Sequence, residues 1–244
     1  MIHNINYIPD IEEILINSLR SYLTSEVKFK DIYKNFGNVR VSGTHPFVYL
    51  MESDINGTKL PQGLFPSITL VMESDMKNPE INIPILIKDF EISSAQINDI
   101  KTNRSLYIIS DSDLSALDTA TQGGETLWAR GARQYRRASL VCEVWSLNPK
   151  VKNRLYDLVI NFLMGVQRFT IKQMYDIIII ENEISGEKSG NYNFDFGKII
   201  YGGMIRFPLD YVVAQYRIDM DDQATFSSVT HTEKEVHRDE QENE

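Results

Sequence analysis

The chain has 244 residues, with 34 acidic against 25 basic side chains and a formal net charge of −9. Its 42% hydrophobic and 24% charged residues are ordinary globular values at a length that can bury a large core, which excludes wholesale disorder. No apolar run approaches the roughly eighteen residues of a membrane helix, and a single cysteine, Cys142, excludes an internal disulfide framework and a cysteine zinc site.

Met1–Asn4 carries no basic stretch running into an apolar one, so a soluble chain without a secretory leader is expected. The charge is unevenly placed. Residues 219–244 hold nine acids against Lys234 and Arg238, a net of −7. The other 218 residues hold 25 acids and 23 bases, a net of −2. The reading is therefore a nearly neutral single domain over residues 1–218 and an acidic C-terminal extension over 219–244.

In chain order, the first predicted element is a helix. Pro9 and the acids Asp10, Glu12 and Glu13 suit its start, and Ile11, Ile14, Leu15, Leu19, Tyr22 and Leu23 recur at helical spacing. Short extended segments follow: Val27–Tyr33, Val39–Val41, Phe47–Met51, Ser67–Glu73, Ile81–Ile87 and Leu106–Ile109, with Gly and Pro between several of them. Ser110–Arg133, with its aspartates, Gly123-Gly124 and a run of arginines, reads as an extended arm, and the Thr44–Gly63 region as a second one.

Tyr135–Ser146 predicts a long strand with Ala138, Leu140, Cys142 and Val144 on one face. Asn148-Pro149 predicts a capped helix start, Val151, Leu155, Leu158, Val159, Phe162 and Leu163 its buried stripe, and Gly165 its end. Ile171–Glu181, with its isoleucine run Ile177–Ile180, reads as a buried strand, Ser185–Gly190 as a turn, and Tyr192–Phe196 and Lys198–Asp219 as the last strands. Gly202-Gly203 is the expected bulge there and Pro208 the expected bend. The class is α+β: a mainly antiparallel sheet with two principal helices packed on one face, plus arm loops.

No chemical motif dominates. His3, His45, His231 and His237 have no metal-site spacing. Asp89 and Glu91 beside Lys88, the aspartates Asp111 and Asp113, and the pair Glu181 and Glu183 are the carboxylates a metal-dependent hydrolase could use, but such spacings are common in solvated loops. Cys142 alternates with apolar neighbours, as a small buried hydrophobe does. No glycine-rich phosphate loop or Gly-x-Ser-x-Gly elbow is present. No catalytic, cofactor or metal residue is assigned. The candidate site is the cluster Trp128, Arg130, Arg133, Tyr135, Arg136 and Arg137, open to three readings: subunit contact, solvated loop, or nucleic-acid backbone contact.

The order of these features resembles a family. An N-terminal amphipathic helix is followed by Phe65-Pro66-Ser67-Ile68-Thr69-Leu70. The long strand Arg137–Leu147 runs directly into the helix Pro149–Met164, and Ile199–Leu209 follows near the end. This is similar to the tail terminator and tail-sheath terminator proteins of long-tailed bacteriophages, over most of residues 8–218. The resemblance implies a hexameric ring at the head-proximal end of the tail. Its partners would be its own copies, the tail tube or sheath protein and the head–tail connector, with DNA passing through the lumen. It implies a virion protein made in the host cytoplasm, with no active site and no membrane contact. Ser110–Arg133 and the acidic extension depart from the shortest members. Two alternatives are kept: a metal-dependent nuclease or other hydrolase using Lys88, Asp89 and Glu91, and a DNA-binding module built on Arg130–Arg137.

Overall fold

A computed structural model of the chain describes residues 2–25, 39–49, 64–77, 85–124, 127–193 and 199–219. The fold is α+β, and two long strands organise it. β6 (Leu127–Ser146) and β9 (Ile199–Asp219) pair antiparallel from Ala129↔Ile218 to Ser146↔Tyr201 without a register shift. At the usual rise per residue this ribbon is roughly 65 Å long. Short strands line both of its edges. β3 (Ser67–Lys77) and β4 (Ile85–Ile92) divide the outer side of β6, and β2 (Arg40–Ser42) adds to β3 in parallel. β1 (Ile2–Tyr7), β7 (Ile178–Ile179) and β8 (Ser185–Asn193) share the outer side of β9, and β5 (Tyr107–Ile108) pairs with β1.

The unbroken register divides every side chain of the ribbon between two faces, since successive residues alternate. On the front, Ala138, Leu140, Cys142 and Val144 of β6 lie beside Ile205, Phe207 and Leu209 of β9, all fully buried. Helices α1 (Ile11–Ser25) and α4 (Pro149–Met164) cover this half of the front. α1 contributes Leu15, Leu19 and Leu23, and α4 contributes the full stripe from Val151 to Leu163 that its spacing predicts. Asn148 caps α4 through Oδ1, which accepts from the Lys150 and Val151 amides, and Gly165 ends it. Polar contacts fix α1 as well. Glu12 accepts from the Met72 amide at 2.6 Å, where a bulge interrupts β3, and Arg20 donates to the Val41 carbonyl at 2.6 Å.

A second core sits on the back, at the other end of the ribbon. Leu127 and Ala129 of β6, Ile218 of β9 and Ile5 of β1 face α2 (Ser94–Thr102) and α3 (Asp111–Gln122), which supply Ile97, Ile100, Leu117 and Ala120. The expectation of two helices on one face therefore holds for α1 and α4 and is corrected by α2 and α3. A ribbon of this length exposes apolar positions on both faces, and each needs a cover. A small third cluster, Leu64, Trp145 and Ile200, closes the back at the far end.

Several expectations are corrected. Ser110–Arg133 is not an arm: α3 takes up Asp111–Gln122, and β6 starts at Leu127. Ser110 Oγ accepts from the Asp113 amide, so residues that suggest a loop are the start of a capped helix. Residues 46–49 are a helical turn rather than a strand, with Phe47 packed edge-on against Trp145. The isoleucine run is strand only at Ile178–Ile179, because helix α5 (Gln167–Tyr175) occupies the residues before it and buries Ile171. Ser185–Gly190 is part of strand β8, not a turn. Val27–Tyr33, most of Thr44–Gly63, the first part of Ile81–Ile87, the end of Tyr192–Phe196 and the C-terminal extension beyond Asp219 lie outside the described residues.

Gly202-Gly203 makes no bulge in β9; the register shift lies across from it, between Glu187 and Gly190 of β8. Gly202 stands opposite Trp145, and a Cβ there would meet the indole at 2.5 Å. The glycine leaves room for the ring. Gly202→Val should therefore destabilise the chain by about 1–3 kcal/mol through overpacking, read as a lower urea midpoint at unchanged slope. Pro208 pairs with Ser139 in register, and its carbonyl accepts from the Ile180 amide.

Candidate functional site

The six residues of the candidate cluster all lie on β6, and strict alternation separates them. Trp128, Arg130 and Arg136 are on the front; Arg133, Tyr135 and Arg137 are on the back. They do not form one patch, and they are not on a loop, which corrects the solvated-loop reading.

Arg136 and Arg137 are each held by a described carboxylate. Arg137 grips Asp210, its cross-strand neighbour, with two parallel bonds of 2.8 and 3.1 Å, and both side chains are less than one-fifth exposed. This bidentate fork is the strong form of the arginine–carboxylate contact. Arg136 reaches Asp75 of β3 at 3.0 and 2.7 Å. Asp75 also faces Tyr211, whose phenol pKa is raised by burial and then by its hydrogen bond to that carboxylate. Arg136 and Arg137 thus tie the ribbon to itself and to β3.

The remaining members are more open. Arg130 is exposed and stands directly opposite Arg217, also exposed, across the β6–β9 pair. Trp128 is half-buried opposite Glu91 of β4. Arg133 is at the mouth of a back-face cavity of about 220 Å³ shared with Gln96, Asp99, Tyr107 and Tyr216. There the Tyr107 hydroxyl donates to Asp99 at 2.9 Å. Lys101 of α2 bonds Asp118 of α3 at 2.5 Å and holds that carboxyl below its ordinary range.

The acidic residues singled out in the sequence fall on three separate elements. Glu91 is exposed on β4, and the side chains of Lys88 and Asp89 lie outside the described residues. Asp111 and Asp113 are in the first turn of α3, with Asp111 bonded to Arg104 at 3.0 Å. Glu181 pairs with Arg168 on a short turn before β8. Among the described residues no group of three His, Cys, Asp or Glu side chains is placed to hold a metal ion. His45 bonds Glu143 at 2.9 Å and sits edge-on to Trp145, anchoring the start of the Thr44–Gly63 region. His3's side chain, His231 and His237 lie outside the described residues.

A different surface stands out that sequence reasoning missed. At the α4–α5 corner Val166 is 73% exposed, Phe169 58%, Met174 64% and Met164 49%. Two open grooves of about 760 and 460 Å³ flank this corner and meet at Tyr22, Ser25 and Gln167, between α1 and the α4–α5 pair. Met164 and Val166 line the larger and Met174 the smaller. Large apolar side chains exposed together along a groove mark an interaction surface more strongly than scattered ones. The spacing of Ile171 and Tyr175 was the available signal that this segment is a helix with an outward side.

Buried protons give a pH test of the same architecture. Burial pushes the Tyr7 phenol up to about 12 from its ordinary 10.0 and also raises Tyr107, Tyr211 and Cys142. A raised folded-state pKa adds stability that is complete below the unfolded value and is lost as pH rises through the folded one. Lys152, buried with its ammonium on the Lys188 carbonyl, is shifted down and has the opposite sign as pH approaches 10.5. The Tyr156 phenol is raised by burial as well, so five groups against one predict a urea midpoint that falls between pH 9 and 11, and a shallower fall in Tyr7→Phe. A flat profile would contradict this burial pattern.

No protein-family model matches the chain, and no curated protein matches it. No helix among the described residues is long and apolar enough to cross a membrane.

Proposed function

We propose that the chain is a virion structural subunit: a tail terminator or neck ring protein of a long-tailed bacteriophage. In this reading copies of the chain close into a ring, hexameric as the resemblance implies. The ring caps the tail tube or sheath and offers a docking face to the head connector. A ring closes when one heterologous contact repeats through a closing rotation. Such a subunit needs two distinct surfaces on a rigid frame, and the ribbon with its opposed helical layers is a frame of that kind.

The observation that carries the reading is the exposed apolar corner of Met164, Val166, Phe169 and Met174 beside its grooves. The order of elements supports it as well, with α1 and α4 on one face of an antiparallel sheet and the long strand β6 running straight into α4. Synthesis in the host cytoplasm, assembly into the tail and contact with tube, sheath or connector proteins follow from the same reading. Arg130 and Arg217, two exposed arginines on one face of the ribbon, would face DNA in a lumen through phosphates alone. Negative-stain images of the purified protein test the reading. Closed rings of uniform diameter are expected. Isolated particles at every concentration would count against it, as would magnesium-dependent DNA cleavage lost on Asp89→Ala.

A further inference from the structure

We propose that the back-face cavity beside Arg133 is a binding site for a small monocarboxylate with an apolar body. The cavity, about 220 Å³, opens between α2 and the sheet where β6, β9 and β1 run side by side. Ile5, Ile92 and Ile100 give it a buried apolar lining. Tyr216 completes the floor. Its cross-strand neighbour is Gly131, where a Cβ would meet Tyr216 Cδ1 at 2.7 Å, so the glycine lets this ring lie against the sheet. The volume is below the roughly 300–1,000 Å³ of drug-sized sites, so the occupant is a compound of about ten non-hydrogen atoms.

The polar groups of the wall are unequally used. Both oxygens of Asp99 already accept hydrogen bonds, from Asn103 Nδ2 at 2.6 Å and from the Tyr107 hydroxyl at 2.9 Å. Gln96 Oε1 accepts from the Ser93 amide at 2.7 Å in the capping box of α2, which leaves its Nε2 as a donor on the cavity. Arg133 is exposed and, unlike Arg136 and Arg137, bonds no described carboxylate. The acceptor of the wall is therefore occupied and its donors are available. A guanidinium fork and an amide N–H₂ on one small cavity match the two oxygens of a carboxylate. Asp99 adds a negative charge to the same wall, so a monoanion fits better than a phosphate dianion. Burial raises the Tyr107 phenol, the mark of a poorly hydrated wall, where an ion contact is stronger than on an open surface. The inference is independent of the ring reading, since it concerns one cavity within one chain.

Ligand-observed saturation-transfer NMR on the full-length protein tests it, with hydrocinnamate as the probe and hydrocinnamide, its neutral amide, as the control. The acid should bind saturably in the millimolar range or tighter, and the amide at least about tenfold more weakly. Gln96→Glu keeps the acceptor that the Ser93 amide needs and puts a negative charge on the wall. It should weaken the acid at least about tenfold without changing the amide. Arg133→Gln should bring the acid down to the level of the amide, and Arg133→Lys should restore part of the difference. Both positions are exposed, so the circular dichroism of each variant should match the wild type. Equal binding of acid and amide overturns the inference. So does acid binding that neither Gln96→Glu nor Arg133→Gln changes, the absence of saturable acid binding in the millimolar range, or phenyl phosphate binding more tightly than the acid.

Discussion

Phe162→Ala should lower the unfolding free energy by about 3–5 kcal/mol, the usual cost of deleting a large buried aromatic side chain. Phe162 is 1% exposed in α4, and its ring centroid lies 5.6 Å from that of Tyr22 in α1. It therefore joins the two helices over the front of the ribbon, and neither helix can slide far to fill the space it would leave. Leu127→Ala, in the back core, should cost about 2–5 kcal/mol. The two cores share β6 and β9, so both variants should shift one common transition. Urea unfolding followed by tyrosine and tryptophan fluorescence and by far-ultraviolet circular dichroism checks this. Separate transitions for the two cores would show that the back core unfolds on its own.

The second large effect concerns assembly. Val166→Glu with Phe169→Glu places two charges on the apolar corner, at positions 73% and 58% exposed. If this corner is a subunit contact, each truncated or charged anchor should cost about 2 kcal/mol or more per interface, roughly a thirtyfold loss of affinity or greater. The doubly substituted chain should sediment as a monomer while its unfolding free energy, measured as the monomer, stays within about 0.5 kcal/mol of that of the wild-type fold, as for ordinary surface changes. An assembly that survives both substitutions would place the contact elsewhere.

The parts of the fold legible in the sequence were those where one face is buried for many residues. α1 and α4 show their stripes, α4 shows both caps, and the alternation of Ala138, Leu140, Cys142 and Val144 marks the front of β6. Elements held by pairing or by brief burial were not legible. β8 carries Ser-Gly-Glu-Lys-Ser-Gly, a composition of turns, yet it is a strand because β9 offers it a ladder. α3 buries only Leu117 and Ala120, so its capping serine and first-turn aspartates look like those of a loop. The candidate site was partly legible. The arginine and aromatic cluster is real in sequence, but its meaning depends on alternation along a strand that was expected to be an arm. Arg137 and Arg136 serve the ribbon, and only Arg130 and Arg133 are exposed. The apolar corner was hidden because the segment after Gly165 was read toward the isoleucine run instead of as a separate helix.

The central claim is that this chain works as a closed assembly of its own copies. Size-exclusion chromatography with multi-angle light scattering tests it most directly. The account predicts a single species at about six times the 28.1 kDa chain, stable on dilution and reduced to one chain by Val166→Glu with Phe169→Glu. A wild-type protein that elutes at the mass of one chain across the accessible concentration range would contradict it.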